Sequence, residues 1–330
     1  MPDSRQHFLL NDLLRDVSRS FFLTLRVLPV GMREPISIAY LLARAADTIA
    51  DTTLVLPEAR LELLSQLRDI LQQGGEAKTL QADLSELIAY QGDSHEQLLL
   101  QNLNSVIALL DLLTAEDRKH VITVVMTLTA GMLWDMQSFP SESSGQVLAI
   151  EDDKALDNYT YMVAGCVGEF WSDISHAHDP RLSHWNLTEQ RALGVRFGKA
   201  LQLTNILRDL PEDLRIGRCY LPQSSLDPLE LSAELLLESE NSERLRPLYH
   251  HWLSVALDHY TAAQAYIGQI PRSCYLLRLA CLWPVMIGLK TLQRLACEER
   301  YLNPGMRVKI SRNEVYRLIL ISLPMALSNR

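Results

Sequence analysis

Apolar residues recur at intervals of three and four along most of the chain, as in Leu98, Leu99, Leu103, Val106, Ile107 and Leu110, and sustained two-residue alternation is absent. The pattern predicts an all-α protein of about a dozen helices. Loops are expected at Gly74-Gly75, Pro140–Gly145, His178–His184, Ile216–Asp227 and Asn303–Gly305, where glycine, proline and small polar residues cluster. Thr114 with Asp117 and Ser311 with Glu314 each precede an apolar run at the spacing of a capping box, so a helix should start after each. No break is long or polar enough to be a linker, and no repeat is visible, which predicts a single domain over residues 1–330.

Composition narrows the class. The 330 residues are 48% hydrophobic and 22% charged, with 14 glycines and 14 prolines, which excludes a disordered or collagen-like chain. A formal charge of −9 removes the whole-chain attraction to phosphate that a nucleic-acid binder needs, so no nucleic-acid partner is expected. The five cysteines are odd in number, form no C-x-x-C and sit mostly in apolar runs, which suits a reducing compartment. The longest apolar stretches, Leu279–Leu289 and Leu318–Leu327, fall short of a membrane span and contain Pro284 and Pro324. The amino terminus lacks an apolar export core. A cytoplasmic protein, at most peripheral to a membrane, is the expectation.

Two segments break the apolar rule. In ISIAYLLARAADTIAD, Tyr40, Arg44, Asp47 and Asp51 are spaced four, three and four apart, which puts a polar stripe on one face of a helix that is otherwise apolar. Carboxylates one turn apart repel, by far more when water is excluded, so a cation belongs beside them. Arg44 is one; a hard divalent ion such as Mg²⁺, sharing carboxylate and substrate phosphate oxygens, is another. In GKALQLTNILRDLPED the geometry repeats with Gln202, Asn205, Asp209 and Asp213, although Pro211 is expected to kink or end the helix and to weaken the place of Asp213. Arg215 and Arg218 follow in a loop able to fold guanidinium groups over anions, and Ser18-Arg19-Ser20-Phe21 offers hydroxyls and another guanidinium.

These segments, in order, resemble the squalene and phytoene synthases. SRSFF (18–22), YLLARAADTIAD (40–51), YTYMVAGCVGEFW (159–171), QLTNILRDLPED (202–213) and GRCYLP (217–222) carry the likeness, which spans about residues 15 to 320. It implies an isoprenoid-synthase helical bundle around a central cavity. It implies Asp47, Asp51, Asp209 and Asp213 as Mg²⁺ ligands holding diphosphates, and Ser18, Arg19, Ser20, Phe21, Tyr40, Arg44, Gln202, Asn205 and Arg208 as substrate-binding residues. Arg218, Tyr159 and Tyr266, the last in AQAYIGQI, fall on positions that serve the reacting groups. One departure is visible: Ala50 and Thr52 stand where many relatives have further acids.

The resemblance further implies that two farnesyl diphosphates join head to head through a cyclopropyl diphosphate. Helices such as 121–134 and 274–290 are expected to wall an apolar tunnel that shields the cations. Hydride from NADPH then gives squalene; without it the product is dehydrosqualene, or phytoene from C20 substrates. Arg307-Val-Lys-Ile-Ser-Arg312 is similar to a basic segment that squalene synthases use toward the nicotinamide cofactor, and assigns Lys309 and Arg312 to NADPH. A terpene cyclase and a noncatalytic family member remain the alternatives. His250-His251, His176 and His178 read as surface histidines, and Cys166 and Cys281 as packing residues.

Overall fold

The computed structural model describes residues 4–18, 21–52, 55–74, 78–139 and 144–327; the side chains of Phe21, Leu23, Lys78, Thr79, Glu86 and Tyr90 lie outside the description. The fold is all-α. Among the described residues the strands amount to β1 (Leu148–Ala149) and β2 (Arg218–Cys219), paired in parallel. The chain divides into two compact units, one of Met1–Met136 with Asp173–Pro180, the other of Gln137–Ser172 with Arg181–Arg330.

The first unit is organised on α1 (Val30–Asp51), with α2 (Pro57–Gln73), α3 (Lys78–Tyr90), α4 (Ser94–Gln101) and α5 (Ala115–Ser138) following. Thirteen residues of α1, from Met32 to Ala50, are buried, so this helix is core on every side but one. Its carboxyl end is closed from outside: the buried Arg60 donates to the Ala50 carbonyl at 3.0 Å, supplying a donor that the helix end lacks. Local chemistry sets the other boundaries. Pro57 opens α2, and Gly74, at φ 71°, closes it in a conformation that suits glycine. The Asp93 carboxylate caps α4 by accepting from the amides of His95 and Glu96. Thr114 caps α5 through the Asp117 amide at 3.1 Å, as its spacing predicts. His178 departs from the surface reading: its Nε2 lies 2.8 Å from the buried Asp117 carboxylate.

The second unit is built on α8 (Leu187–Arg215), against which α9 (Ser242–Gly268) and α10 (Tyr275–Ala296) pack, with α6 (Asp153–Thr160), part of α7 (Cys166–His178) and α11 (Arg312–Ala326) completing it. A π-helical turn, Tyr161–Gly165, joins α6 to α7. Glycines let α7 and α8 touch through their backbones. A Cβ added at Gly168 would lie 1.8 Å from the Gly194 carbonyl oxygen, and one at Gly198 would lie 2.2 Å from that of Ala164. The capping box of Ser311 and Glu314 is formed as expected. Cys166 and Cys281 are buried and their thiols are pushed up to about 12, mainly by burial, so they are inert packing groups.

Two expectations need correction. First, Pro211 does not end its helix: α8 runs on to Arg215. Proline has no N–H to give the Leu207 carbonyl one turn back. The Tyr249 hydroxyl, from α9, donates to that carbonyl at 3.1 Å instead. Tyr249 is fully buried and stacked on Tyr301, with ring centroids 4.1 Å apart. Asp209 and Asp213 therefore stay on one continuous helix. Second, Arg272–Ala296 is long and apolar enough to cross a membrane by length and composition, because Pro284 lies inside α10 rather than breaking it; 56% of its most apolar window is buried within the fold, as in a core helix.

Removing the Tyr249 hydroxyl alone tests this replacement. Tyr249→Phe keeps the stacked ring and leaves the Leu207 carbonyl short of a donor, so it should cost about 1 to 3 kcal/mol. A lower denaturation midpoint with an unchanged denaturant slope is the expected result; an unchanged midpoint would show that the hydroxyl does not support the helix.

Candidate active site

From Tyr40 to the end of α1 the polar stripe predicted from spacing is the line that the packing leaves open. Tyr40, Arg44 and Asp47 are half-buried and Asp51 is exposed, while the residues between them, apart from Ala43, are buried. Tyr40 donates to the Val17 carbonyl at 3.3 Å, tying the stripe to the helix that ends at the buried Ser18. Arg44 is shared between two acids: one guanidinium nitrogen lies 2.6 Å from the Asp47 carboxylate, and the other bonds Glu96 on α4. Gln91 donates to the second Glu96 oxygen at 3.2 Å. A cleft of about 320 Å³ opens here, lined by Arg44, Asp47, Thr48, Asp51, Thr52, Gln91 and Glu96.

The electrostatics of this cleft follow from crowding. Burial pushes the Asp47 carboxyl up from its ordinary range, Arg44 draws it back and the charge of Glu96 pushes it up again. Burial disfavours the charge on Arg44, and Asp47 and Glu96 outweigh that effect, so the guanidinium is held more firmly protonated than usual. Three carboxyls, those of Asp47, Asp51 and Glu96, and the Arg44 guanidinium line this cleft. Thr48, 4% exposed, has a hydroxyl with no hydrogen-bond partner, and it lines the cleft.

In the second unit, α8 buries Leu203, Thr204, Ile206, Leu207, Leu210 and Leu214 and leaves Gln202, Asn205, Arg208, Asp209 and Asp213 half-buried. Arg208 forms a two-pronged pair with its neighbour Asp209, at 2.8 and 2.5 Å, and that bond, against burial, raises its pKa. Arg307 approaches the same acid at 3.8 Å and Glu212 at 3.7 Å. Arg218 lies on β2, directly after Gly217 at φ 87°, a backbone turn that favours glycine. β1 pairs Leu148 with Arg218 and so fixes the position of its backbone.

Tyr159 and Tyr266 are both buried. Tyr159 stacks on Tyr220 and donates to its hydroxyl at 3.3 Å, whereas Tyr266 accepts from Ser172 at 3.2 Å beneath Trp185 and Phe197. Lys309 and Arg312 are exposed, and Arg294 holds the segment in place by donating to the Lys309 carbonyl and pairing with Glu314 at 2.6 Å. Arg19 and Ser20 lie outside the described residues, as does the Phe21 side chain.

An all-α isoprenoid-synthase fold whose acid-bearing helices each carry arginines is the class these observations define. The chain belongs to the squalene/phytoene synthase family, whose model matches residues 14–314, a family of head-to-head isoprenoid synthases. It is 28% identical over 316 residues to a bifunctional lycopene cyclase/phytoene synthase of Blakeslea trispora, covering 93% of this chain and 48% of that protein. It is 26% identical to a squalene synthase of Schizosaccharomyces pombe, covering 94% of this chain and 64% of the other. It is 30% identical to a presqualene diphosphate synthase of Zymomonas mobilis, covering 77% and 73%. The chain thus spans about half to two thirds of the length of the first two. Among solved structures, TcSQS in complex with a ligand superposes with a TM-score of 0.73 at 20% identity over 98% of this chain and 92% of that one. A dehydrosqualene synthase does so with 0.66 at 20% over 96% and 95%.

The donors suit a hard divalent cation. They are carboxylate and hydroxyl oxygens, and Arg44 stands beside them with a guanidinium able to meet phosphate. Among the described residues no three His, Cys, Asp or Glu side chains converge to hold a metal by themselves, which leaves coordination to be completed by phosphate oxygens or water.

Glu96, Gln91 and Thr48 were not anticipated. Glu96 lies 52 positions from Arg44, and in sequence it reads only as an acid in the first turn of a helix, where the dipole favours one. Its function in the cleft is testable. In Glu96→Gln, Arg44 keeps Asp47 as its one acidic partner and competes harder with a cation, so Mn²⁺ binding followed by paramagnetic resonance should weaken by about five- to tenfold, roughly 1 kcal/mol. Glu96→Asp should retain most of the affinity. Equal affinity in wild type and Glu96→Gln would remove Glu96 from the site.

Proposed function

We propose that residues 1–330 act as one catalytic domain that condenses two farnesyl diphosphates through presqualene diphosphate to squalene, with Mg²⁺ and NADPH. The observation that carries the reading is the stripe of Tyr40, Arg44, Asp47 and Asp51, left open along the buried carboxyl-terminal half of its helix. A purely structural helix gains nothing from two acids and a shared arginine lined up beside a cleft.

Mg²⁺, when bound, supplies charge that stabilises a departing diphosphate. Asp47 and Asp51 on α1 would hold Mg²⁺ in the first unit, and Asp209 and Asp213 on α8 would hold it in the second. Arg44, Arg208 and Arg218 neutralise diphosphate oxygens, with Ser18, Arg19, Ser20, Phe21, Tyr40, Gln202 and Asn205 placing the substrates. One diphosphate leaves, the allylic cation is attacked by the double bond of the second substrate, and a proton is lost to form the cyclopropane. Departure of the second diphosphate leaves a cation, and NADPH, when bound, would supply the hydride that quenches it. Tyr159 and Tyr266 present apolar rings to these cations and keep water from them. Lys309 and Arg312, exposed on a segment held by Arg294, bind the NADPH phosphates. The reaction takes place in the cytoplasm, and the C30 product leaves for a membrane.

The second reading is phytoene or dehydrosqualene synthesis without NADPH. It is supported by likeness to a protein named phytoene synthase at 28% identity. Incubation with farnesyl or geranylgeranyl diphosphate and Mg²⁺, with and without NADPH, followed by gas chromatography, separates the two. Squalene that forms only with NADPH is expected, and Lys309→Ala/Arg312→Ala should accumulate presqualene diphosphate while the first half-reaction continues. A hydrocarbon with a central double bond that is indifferent to NADPH would overturn the squalene reading in favour of the second.

A further inference from the structure

Threonines inside the helices of this protein share a habit. Thr127, Thr129, Thr204, Thr261 and Thr291 each turn the hydroxyl back and donate to the carbonyl one turn earlier, at 2.8 to 3.3 Å. Thr48 breaks it. It lies inside α1 and is 4% exposed, and its hydroxyl bonds neither the Arg44 carbonyl nor any other group among the described residues. A buried polar group left without a partner costs stability, so it calls for a reason. Thr48 lines the cleft of Asp47 and Asp51, and what enters that cleft can supply the partner.

A second open donor is one turn away. Arg44 commits one terminal nitrogen of its guanidinium to Asp47, at 2.6 Å, and the other to Glu96. Its Nε is also occluded from water and has no partner among the described residues. Residues four apart share a helix face, so the Arg44 Nε–H and the Thr48 hydroxyl are neighbours on the wall of one cleft. Both can donate, and what satisfies both has to accept twice. A metal ion accepts nothing, and a water bound to one has its lone pair turned to the metal. A phosphate oxygen has both the lone pairs and the charge that strengthens such bonds. Asp47, Asp51 and Glu96 repel a bare anion, so this oxygen enters together with a divalent cation. The guanidinium is already held by two acids, and little freedom is lost when the oxygen meets it.

We propose that Thr48 is a phosphate-binding residue, its hydroxyl and the Nε–H of Arg44 seating one oxygen of a cation-bound diphosphate. The proposal rests on the reading that α1 holds a metal diphosphate; it adds a residue to that site and names the edge of Arg44 that makes the contact.

The test is calorimetric titration of the full chain with inorganic pyrophosphate in the presence of Mg²⁺, beside Mn²⁺ binding followed by paramagnetic resonance with no anion, and thermal melting with neither. Thr48→Val keeps the side-chain shape and removes the hydroxyl, whereas Thr48→Ser keeps the hydroxyl. Thr48→Val should weaken pyrophosphate binding about five- to tenfold, and Thr48→Ser should stay close to wild type. Mn²⁺ affinity should be unchanged in both. The ligand-free melting temperature of Thr48→Val should equal or exceed that of wild type, because the substitution breaks no hydrogen bond within the protein. Pyrophosphate binding by Thr48→Val at wild-type affinity would overturn the proposal and leave the hydroxyl to a water. An equal loss of Mn²⁺ affinity would overturn it by assigning the hydroxyl to the cation, and a melting temperature several degrees lower would do so by giving it a structural bond. Wild type that binds Mn²⁺ but no pyrophosphate would also sink it. Wild type that binds neither would overturn the metal-diphosphate reading along with it, which tells the two failures apart.

Discussion

A charge placed on a buried helix has to be answered by another charge, and the sharing of Arg44 between Asp47 and Glu96 is how the first unit meets that demand. Everything around the cleft depends on this exchange. Asp47 keeps one face toward the cleft because half of the guanidinium is held by an acid from a different helix. Were Arg44 committed to Asp47 alone, the stripe would be a closed ion pair and a structural feature. With Glu96 present the cleft is lined by three carboxyls and one guanidinium, and it keeps a buried threonine hydroxyl that has no partner among the described residues. Oxygen donors of this kind suit a hard divalent cation, which is the basis of the proposed Mg²⁺ role.

The second unit solves a different problem by comparable means. Asp209 is paired with Arg208 at short range and approached by Arg307, so its acid is also answered by cations that phosphate can compete for. Its geometry depends on a helix that should be interrupted. Tyr249 supplies the donor that Pro211 withholds, and Tyr249 is fixed by burial and by its stack on Tyr301. The close approach of α7 and α8 at Gly168 and Gly194 is a backbone contact that no larger residue permits.

Much of this was legible in the sequence, for physical reasons. Three- and four-residue periodicity reports burial on helices directly, so the all-α fold and the two polar stripes could be read from spacing alone. Capping at Thr114 and Ser311 is a local exchange within four residues and was equally readable. What could not be read was whatever joins distant positions. Glu96 looks like an ordinary first-turn acid until α4 brings it to Arg44, His178 looks like a surface histidine until it meets Asp117, and the fate of Pro211 depends on a tyrosine 38 positions later. Arg272–Ala296 shows the converse, a segment whose composition suits a membrane and whose packing is that of a core helix. The family likeness implies roles for the motif residues, and the geometry gives the described ones their side-chain partners.

The central proposal is that the acids of α1 and those of α8 each take part in holding a diphosphate through a divalent cation. Equilibrium binding of a farnesyl thiodiphosphate, which resists ionisation, tests it most directly when measured by calorimetry with and without Mg²⁺ on wild type, Asp47→Asn and Asp209→Asn. The account predicts tight binding that requires Mg²⁺ in wild type and affinity at least about tenfold lower in each variant, more than 1.4 kcal/mol, with the helical circular dichroism unchanged. Binding that is equal in all three proteins, or that does not depend on Mg²⁺, would contradict it.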